Sequence, residues 1–292
     1  MTRAGVSVVV AATLTLSAQA PIAPTCKPIG RAQFLSGVPE ASGIAQAGGS
    51  LWTHNDSGPP VLFRIDGSGR PEAVAVAGAD VRDWEDLAAG ACIDGSAGES
   101  CLYVADIGDN RGSRERITMY QVPVPGPGAT STKPATAIHA RYPDHPHDAE
   151  ALLVISRRAQ LKLSPTATTP TIYLITKEVP ARVYTFAPSQ TAGQTSTLKF
   201  VRTINEKTRI TGAAVSTDER WVALRSNTAL LLYTLDDFAK GGTGTRVDLQ
   251  GLKEPQGEGV AFGGSGDLYL ISEGGGGDRS GMLTRIHCAV IR

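Results

Sequence analysis

Aromatic residues are scarce: Phe, Tyr and Trp make up 5% of 292 residues, and only three are tryptophan. A site that stacks sugar rings on aromatic faces has little to draw on here. Net charge is absent too, with 28 basic residues against 28 acidic and no basic run. Nucleic acid and anionic membrane therefore have no electrostatic support as partners. After the first twenty residues no apolar stretch approaches the length of a membrane-spanning helix. Helical periodicity is nearly missing, apart from a turn-like stretch around Asp236 to Lys240. No GxSxG, HExxH or P-loop sequence occurs.

What is present begins with an export signature. Arg3 precedes an apolar, small-residue run from Ala4 to Leu16, and Ala18-Gln19-Ala20 reads as a cleavage site, with Pro21 shifting the cut nearby. The alternative is an uncleaved anchor. We take residues 1–25 as leader and 26–292 as one domain, secreted or held in the cell envelope, monomeric and free of the membrane once cut. Four cysteines in an exported chain predict two disulfides. Cys92 and Cys101 bracket a polar, Gly-rich loop, which leaves Cys26 and Cys288 near opposite ends of the domain.

An internal repeat organises the rest. Five segments carry a small or acidic pair followed by an apolar strand: ASGIAQA at 41, WEDLAAG at 84, AEALLVI at 149, TGAAVST at 211 and GEGVAFG at 257. Second and third strands follow each, and fourth strands follow four of them. This predicts an all-β fold, a five-bladed β-propeller of four-stranded blades. The last unit lacks a fourth strand, and KPIGRAQFL from Lys27 is suited to complete it. That pairing would set Cys26 opposite Cys288.

Aligning the units puts Ser42, Glu85, Glu150, Gly212 and Glu258 in one column, with Glu40, Asp83, Asp148, Ile210 and Gln256 two residues earlier on the same side. Second-strand ends contribute Asn55, Asp56, Asp106, Thr176, Lys177, Arg225, Ser226, Ser272 and Glu273 to the same end of the channel. Converging glutamates repel one another and are costly to bury unpaired. A hard cation, Ca²⁺ foremost, would offset this with Glu85, Glu150, Glu258, Asp83, Asp148, Asp106 and Asn55 as ligands. Ion pairs with Lys177 or Arg225, or bonds to backbone amides of neighbouring strands, would do so without metal. Lys177, Arg225, Arg111 and Glu273 are the candidates to hold a small-molecule or protein ligand there.

Other motifs are weaker. DIGDNRG from Asp106 misses the EF-hand pattern and reads as a polar turn. His145 and His147 flank Pro146 in YPDHPHDAE, either a transition-metal pair or a solvated loop. His54 reads as a semi-buried histidine, and LKLSPTATTP from Leu161 as a loop insertion in blade three.

DWEDLA, DAEALLV and QGEGVAF, with HNDSG and LYVADIGDN, resemble secreted bacterial β-propellers of the phytase-like and esterase-like-phytase group. The resemblance spans the whole domain and implies Ca²⁺ ions that bind phosphate and activate water. Residue by residue it reaches Asp148, Glu150 and Glu258, with Glu85 a looser match. The chain departs from that group in having five blades rather than six and few basic residues near the mouth. Three functions are then in play: a Ca²⁺-stabilised binding scaffold, a metal-dependent phosphoesterase, and a glycoside hydrolase using channel carboxylates, with Trp52 and Trp84 its available rings.

Overall fold

β-Branched and aromatic residues at alternate positions, cut by Gly, Pro and Asp at the turns, give the chain its strands. The computed structural model describes residue 1 and residues 25–93, 98–163, 170–187, 193–277, 279–289 and 291. The leader, part of the loop between Cys92 and Cys101, and most of the LKLSPTATTP segment lie outside these residues.

Each blade is an antiparallel meander. Blade one comprises β3 (Ala41–Ala47), β4 (Ser50–Asn55), β5 (Val61–Ile65) and β6 (Pro71–Ala75). Blade two comprises β7 (Trp84–Ala91), β8 (Ser100–Asp106), β9 (Ile117–Pro123) and β10 (Thr136–Arg141). Blade three is β11 (Ala149–Ile155), β12 (Thr171–Thr176), β13 (Ala181–Thr185) and β15 (Lys199–Ile204). Blade four is β16 (Gly212–Val215), β17 (Trp221–Ser226), β18 (Ala229–Thr234) and β19 (Thr245–Asp248). Blade five has β20 (Gln256–Phe262), β21 (Asp267–Glu273) and β22 (Gly281–Cys288). The fold is therefore all-β, a five-bladed propeller.

The first strands β3, β7, β11, β16 and β20 lie side by side in that order, and β20 returns to β3. Burial falls from the axis outward: β11 is buried along its whole length, while β15 is mostly exposed. Apolar side chains collect between adjacent blades rather than in one central core. Tyr103, Met119, Leu152 and Tyr184 pack blades two and three together. Ile44, Ala261, Ile271 and Leu283 do the same for blades five and one.

Three details depart from the sequence reading. The N-terminal segment is two short strands, β1 (Cys26–Pro28) and β2 (Gln33–Leu35), both antiparallel to β22, rather than one. Gly30 lies between them at φ 71°, a left-handed conformation that suits glycine. Blade two gains a fifth strand, β14 (Thr195–Thr197), which runs parallel to β10 although it belongs to the connection inside blade three. The start of the expected loop insertion is helical, as α1 (Arg157–Leu163). The turn-like stretch is a real helix, α2 (Leu235–Lys240), where the Thr234 hydroxyl accepts from Asp237 N and Gly241 ends it at φ 76°. Both disulfides are formed as paired above, Cys26–Cys288 and Cys92–Cys101.

Candidate functional site

The repeated small-or-acidic pair is the sequence trace of a β-bulge. Pairing slips between Ala41 and Ile44 in β3, Trp84 and Asp86 in β7, Ala149 and Ala151 in β11, and Gly257 and Val260 in β20. Ser42, Glu85, Glu150 and Glu258 fall inside those slips. An extra residue breaks the two-residue alternation and re-aims its side chain. β16 has no slip, and its column residue is Gly212.

Bulged strands sit very close together at the axis. A Cβ on Gly259 would lie 2.6 Å from Ser42 O and 2.9 Å from Ile44 N. One on Gly212 would lie 2.6 Å from Glu258 O. Hydroxyls stitch these approaches: Ser42 Oγ donates to Glu85 O at 2.5 Å, and Thr211 Oγ1 to Gly257 O at 2.9 Å. Starts of first strands face ends of second strands, as the pairs Ala41–Asn55, Trp84–Asp106, Ala149–Thr176, Gly212–Arg225 and Gln256–Glu273 record.

At that end, Glu85, Asp148 and Glu150 each bring one carboxylate oxygen to within 4.8 Å of the others. Two unit charges at that spacing repel by about 3.5 kcal/mol at an effective dielectric constant near 20, so three ionised groups need a counter-charge or protons. Glu85 and Glu150 are buried. Lys177 Nζ contacts Glu150 Oε1, while Glu150 Oε2 has no hydrogen-bond partner. Asp148 Oδ1 accepts from Asp109 N at 2.7 Å. Burial, then the neighbouring Asp83, push Glu85 well above the usual carboxylate range, against the pull of Lys177. Burial and the Asp148 charge raise Asp83 as well.

Glu258 lies next to this cluster in a cleft of 350 Å³ shared with Glu150, Lys177, Thr211, Asn227 and Gln256. Burial pushes its carboxyl up to about 7, although Gln256 Nε2 donates to Oε1 at 2.8 Å. The same amide nitrogen reaches Glu273 Oε1 at 2.7 Å, and so links the Glu258 and Glu273 carboxylates on β20 and β21 of blade five. Asp56, raised to about 7 by burial and by Glu40, completes the acidic rim.

Several expected ligands are otherwise engaged. Asp106 Oδ1 accepts from Arg114 Nη1 at 2.8 Å and from Asp83 N at 3.1 Å, so it braces the turn below the rim. Asn55 Oδ1 accepts from Glu40 N. Arg225, expected to hold a ligand, is fully buried instead: it pairs with Glu254 and donates to Gly259 O and Ile271 O at 2.7 Å each. Arg111 is exposed on the DIGDNRG turn. That turn is polar as expected, with Asp109 accepting from Ser113 N and Arg114 N. Trp52 and Trp84 are buried, and their indole N–H groups donate to Ala47 O and Asp80 O. Neither offers a face to a sugar.

Asp86 was the residue the column reading passed over. It is fully buried and accepts from Leu87 N (2.8 Å), Leu152 N (2.8 Å) and Ala213 N (3.1 Å), so one carboxylate joins blades two, three and four. Burial raises it well above its ordinary value, against those three N–H bonds. A second acidic residue directly after Glu85, where the other first strands carry a small or apolar one, was its signal.

No protein-family model matches the sequence, and neither does any curated protein. Solved structures do. The PQQ-bound form of aldose sugar dehydrogenase from Streptomyces coelicolor aligns with TM-score 0.52 at 12% identity, over 92% of this chain and 100% of that one. An oxidoreductase assigned as a glucose dehydrogenase from Thermus thermophilus gives 0.50 at 10% identity, over 90% and 99%. A gluconolactonase from Xanthomonas campestris gives 0.46 at 14%, over 86% and 74%. The first two share the propeller fold. At these identities the likeness carries no chemistry with it, and the phytase-like motifs find no family match to rest on.

Proposed function

We propose that the protein is an exported β-propeller that takes up a hard divalent cation, Ca²⁺ foremost, between Glu85, Asp148 and Glu150. Through it the protein binds a small, oxygen-rich ligand in the adjoining cleft. The observation that supports this is the approach of three carboxylates to within 4.8 Å with one buried Glu150 oxygen unpartnered. Ca²⁺ takes several carboxylate, carbonyl and water oxygens in a flexible shell, which suits such a donor set. Lys177 then serves as the cation-free stand-in, and turns from Glu150 toward an anionic ligand group once the ion is bound.

Two disulfides favour an oxidising compartment, and no helix among the described residues is long and apolar enough to cross a membrane. We read β1 and β2, tied by Cys26–Cys288, as the element that shuts the ring.

A second reading rests on Glu258. A carboxyl pushed to about 7 in a polar cleft is suited to general-acid catalysis at neutral pH. It would act on the leaving oxygen of a phosphate ester or glycoside.

The test is a thermal melt of chelator-treated protein with and without Ca²⁺, alongside hydrolysis of nitrophenyl phosphates and glycosides. Saturation at 100 times Kd should stabilise by about 2.7 kcal/mol, and Glu150→Gln should abolish that shift. A melt indifferent to Ca²⁺ would sink the cation reading. Hydrolysis that persists without Ca²⁺ and vanishes in Glu258→Gln would put the acid–base reading in its place.

A further inference from the structure

The geometry points to a second metal site, built for a zinc-like ion by Asp144, His145 and His147 on the connection from β10 to β11. One donor atom from each lies within 4.8 Å of the others. His147 Nε2 is 3.0 Å from Asp144 Oδ1, near the roughly 3.3 Å that separates two ligands of a tetrahedral ion with 2.0–2.1 Å bonds. The two imidazole rings lie 4.2 Å apart between centroids, on either side of Pro146.

Both histidines are oriented in the way metal-bound imidazoles are. A ligating histidine donates its other ring N–H to a carboxylate or a backbone carbonyl, which fixes the tautomer. His147 Nδ1 faces Glu178 Oε1 at 2.5 Å, and His145 Nδ1 faces Pro146 O at 3.0 Å. Each therefore presents Nε2. For His147 that nitrogen is directed at the Asp144 carboxylate, a contact that repels unless a cation lies between them or Nε2 carries a proton.

The surroundings hold the ligands in place while leaving access. Arg182 Nη1 is 3.1 Å from Asp144 Oδ2, and its Nε is 3.4 Å from Glu178 Oε2, so one guanidinium braces both carboxylates. The Tyr184 hydroxyl, 2.9 Å from His147 Nε2, occupies that nitrogen without the ion and gives way when it binds. The His147 side chain is fully buried, whereas His145 is 64% exposed. An ion would reach the site from solvent through His145. Two nitrogens and one oxygen favour zinc, nickel or copper over calcium, so this site and the all-oxygen one take different ions.

Calorimetric titration of untagged, chelator-treated protein with ZnCl₂, in saturating Ca²⁺, tests this. The parent protein should bind one equivalent. Glu178→Gln, a positioning change, should weaken binding about 10- to 100-fold, and His145→Ala at least as much. His145 is exposed, so its variant keeps the fold. Glu150→Gln should leave zinc affinity unchanged. Substituted Co²⁺ should give visible absorption bands that His145→Ala loses. No zinc heat in the parent, or equal affinity in His145→Ala, overturns the proposal and leaves His147 as a buried hydrogen-bonded link between Glu178 and Asp144.

Discussion

Asp86 shows how much one side chain decides here. Its two oxygens satisfy N–H groups on three different blades, and a buried N–H left unpaired costs about 1–3 kcal/mol. Asp86→Asn keeps an acceptor for two of the three and should lose about that much. Asp86→Ala should lose clearly more, and urea unfolding of both variants would measure the gap; equal losses would mean the carboxylate is not the joint described. The acidic rim has its own signature. Burial raises Glu258 from 4.5 and Asp56 from 3.8 to about 7 each. Each holds its proton more tightly folded than unfolded, so the contribution of these two groups to stability is fully present below about 4 and is lost as pH rises through about 7. Cation-free protein should therefore melt at lower temperature at pH 7 than at pH 5, and Ca²⁺ should reverse that slope. The glutamate column was legible from the sequence because it recurs at matched positions. Asp86 and the Arg225–Glu254 pair were not, since each occurs once and its partners come from distant strands.

The element that carries the site is the bulged first strand. Strand order, blade number and the acidic columns could be read from alternation and repeat spacing. The slip in register could not, because a bulge and a continued strand differ by one residue and share composition. The parallel strand β14 was equally hidden: three residues, Thr195–Thr197, carry too weak a pattern to announce a partner in another blade. Glycine marks two of the four bulges in retrospect, Gly43 in β3 and Gly259 in β20. At Gly259 an added Cβ would come within 3 Å of backbone on blade one, and crowding of that kind costs about 1–3 kcal/mol. Gly259→Ala should lower the urea midpoint with an unchanged m-value. A neutral result would show that β20 and β3 separate more easily than their spacing implies.

Across the whole molecule, the two disulfides differ far more in reach than in chemistry. Cys26 and Cys288 are 262 residues apart in sequence, Cys92 and Cys101 only 9. In the chain-entropy account the longer loop stabilises by about 3 kcal/mol more than the shorter. Cys26→Ser/Cys288→Ser should accordingly destabilise much more than Cys92→Ser/Cys101→Ser. Hydrogen exchange in the first pair should rise earliest in β1, β2 and β22. Uniform exchange across all blades would count against a special role for that seam.

The same bond has a mechanical consequence. Joined at Cys26 and Cys288, the chain between them is a closed loop with a tail on either side. Tension applied to those tails runs through a single covalent link and bypasses all five sheets. Stretched between its tails, the oxidised protein should extend no further than the tails themselves, and only a reductant would let the blades peel away in turn.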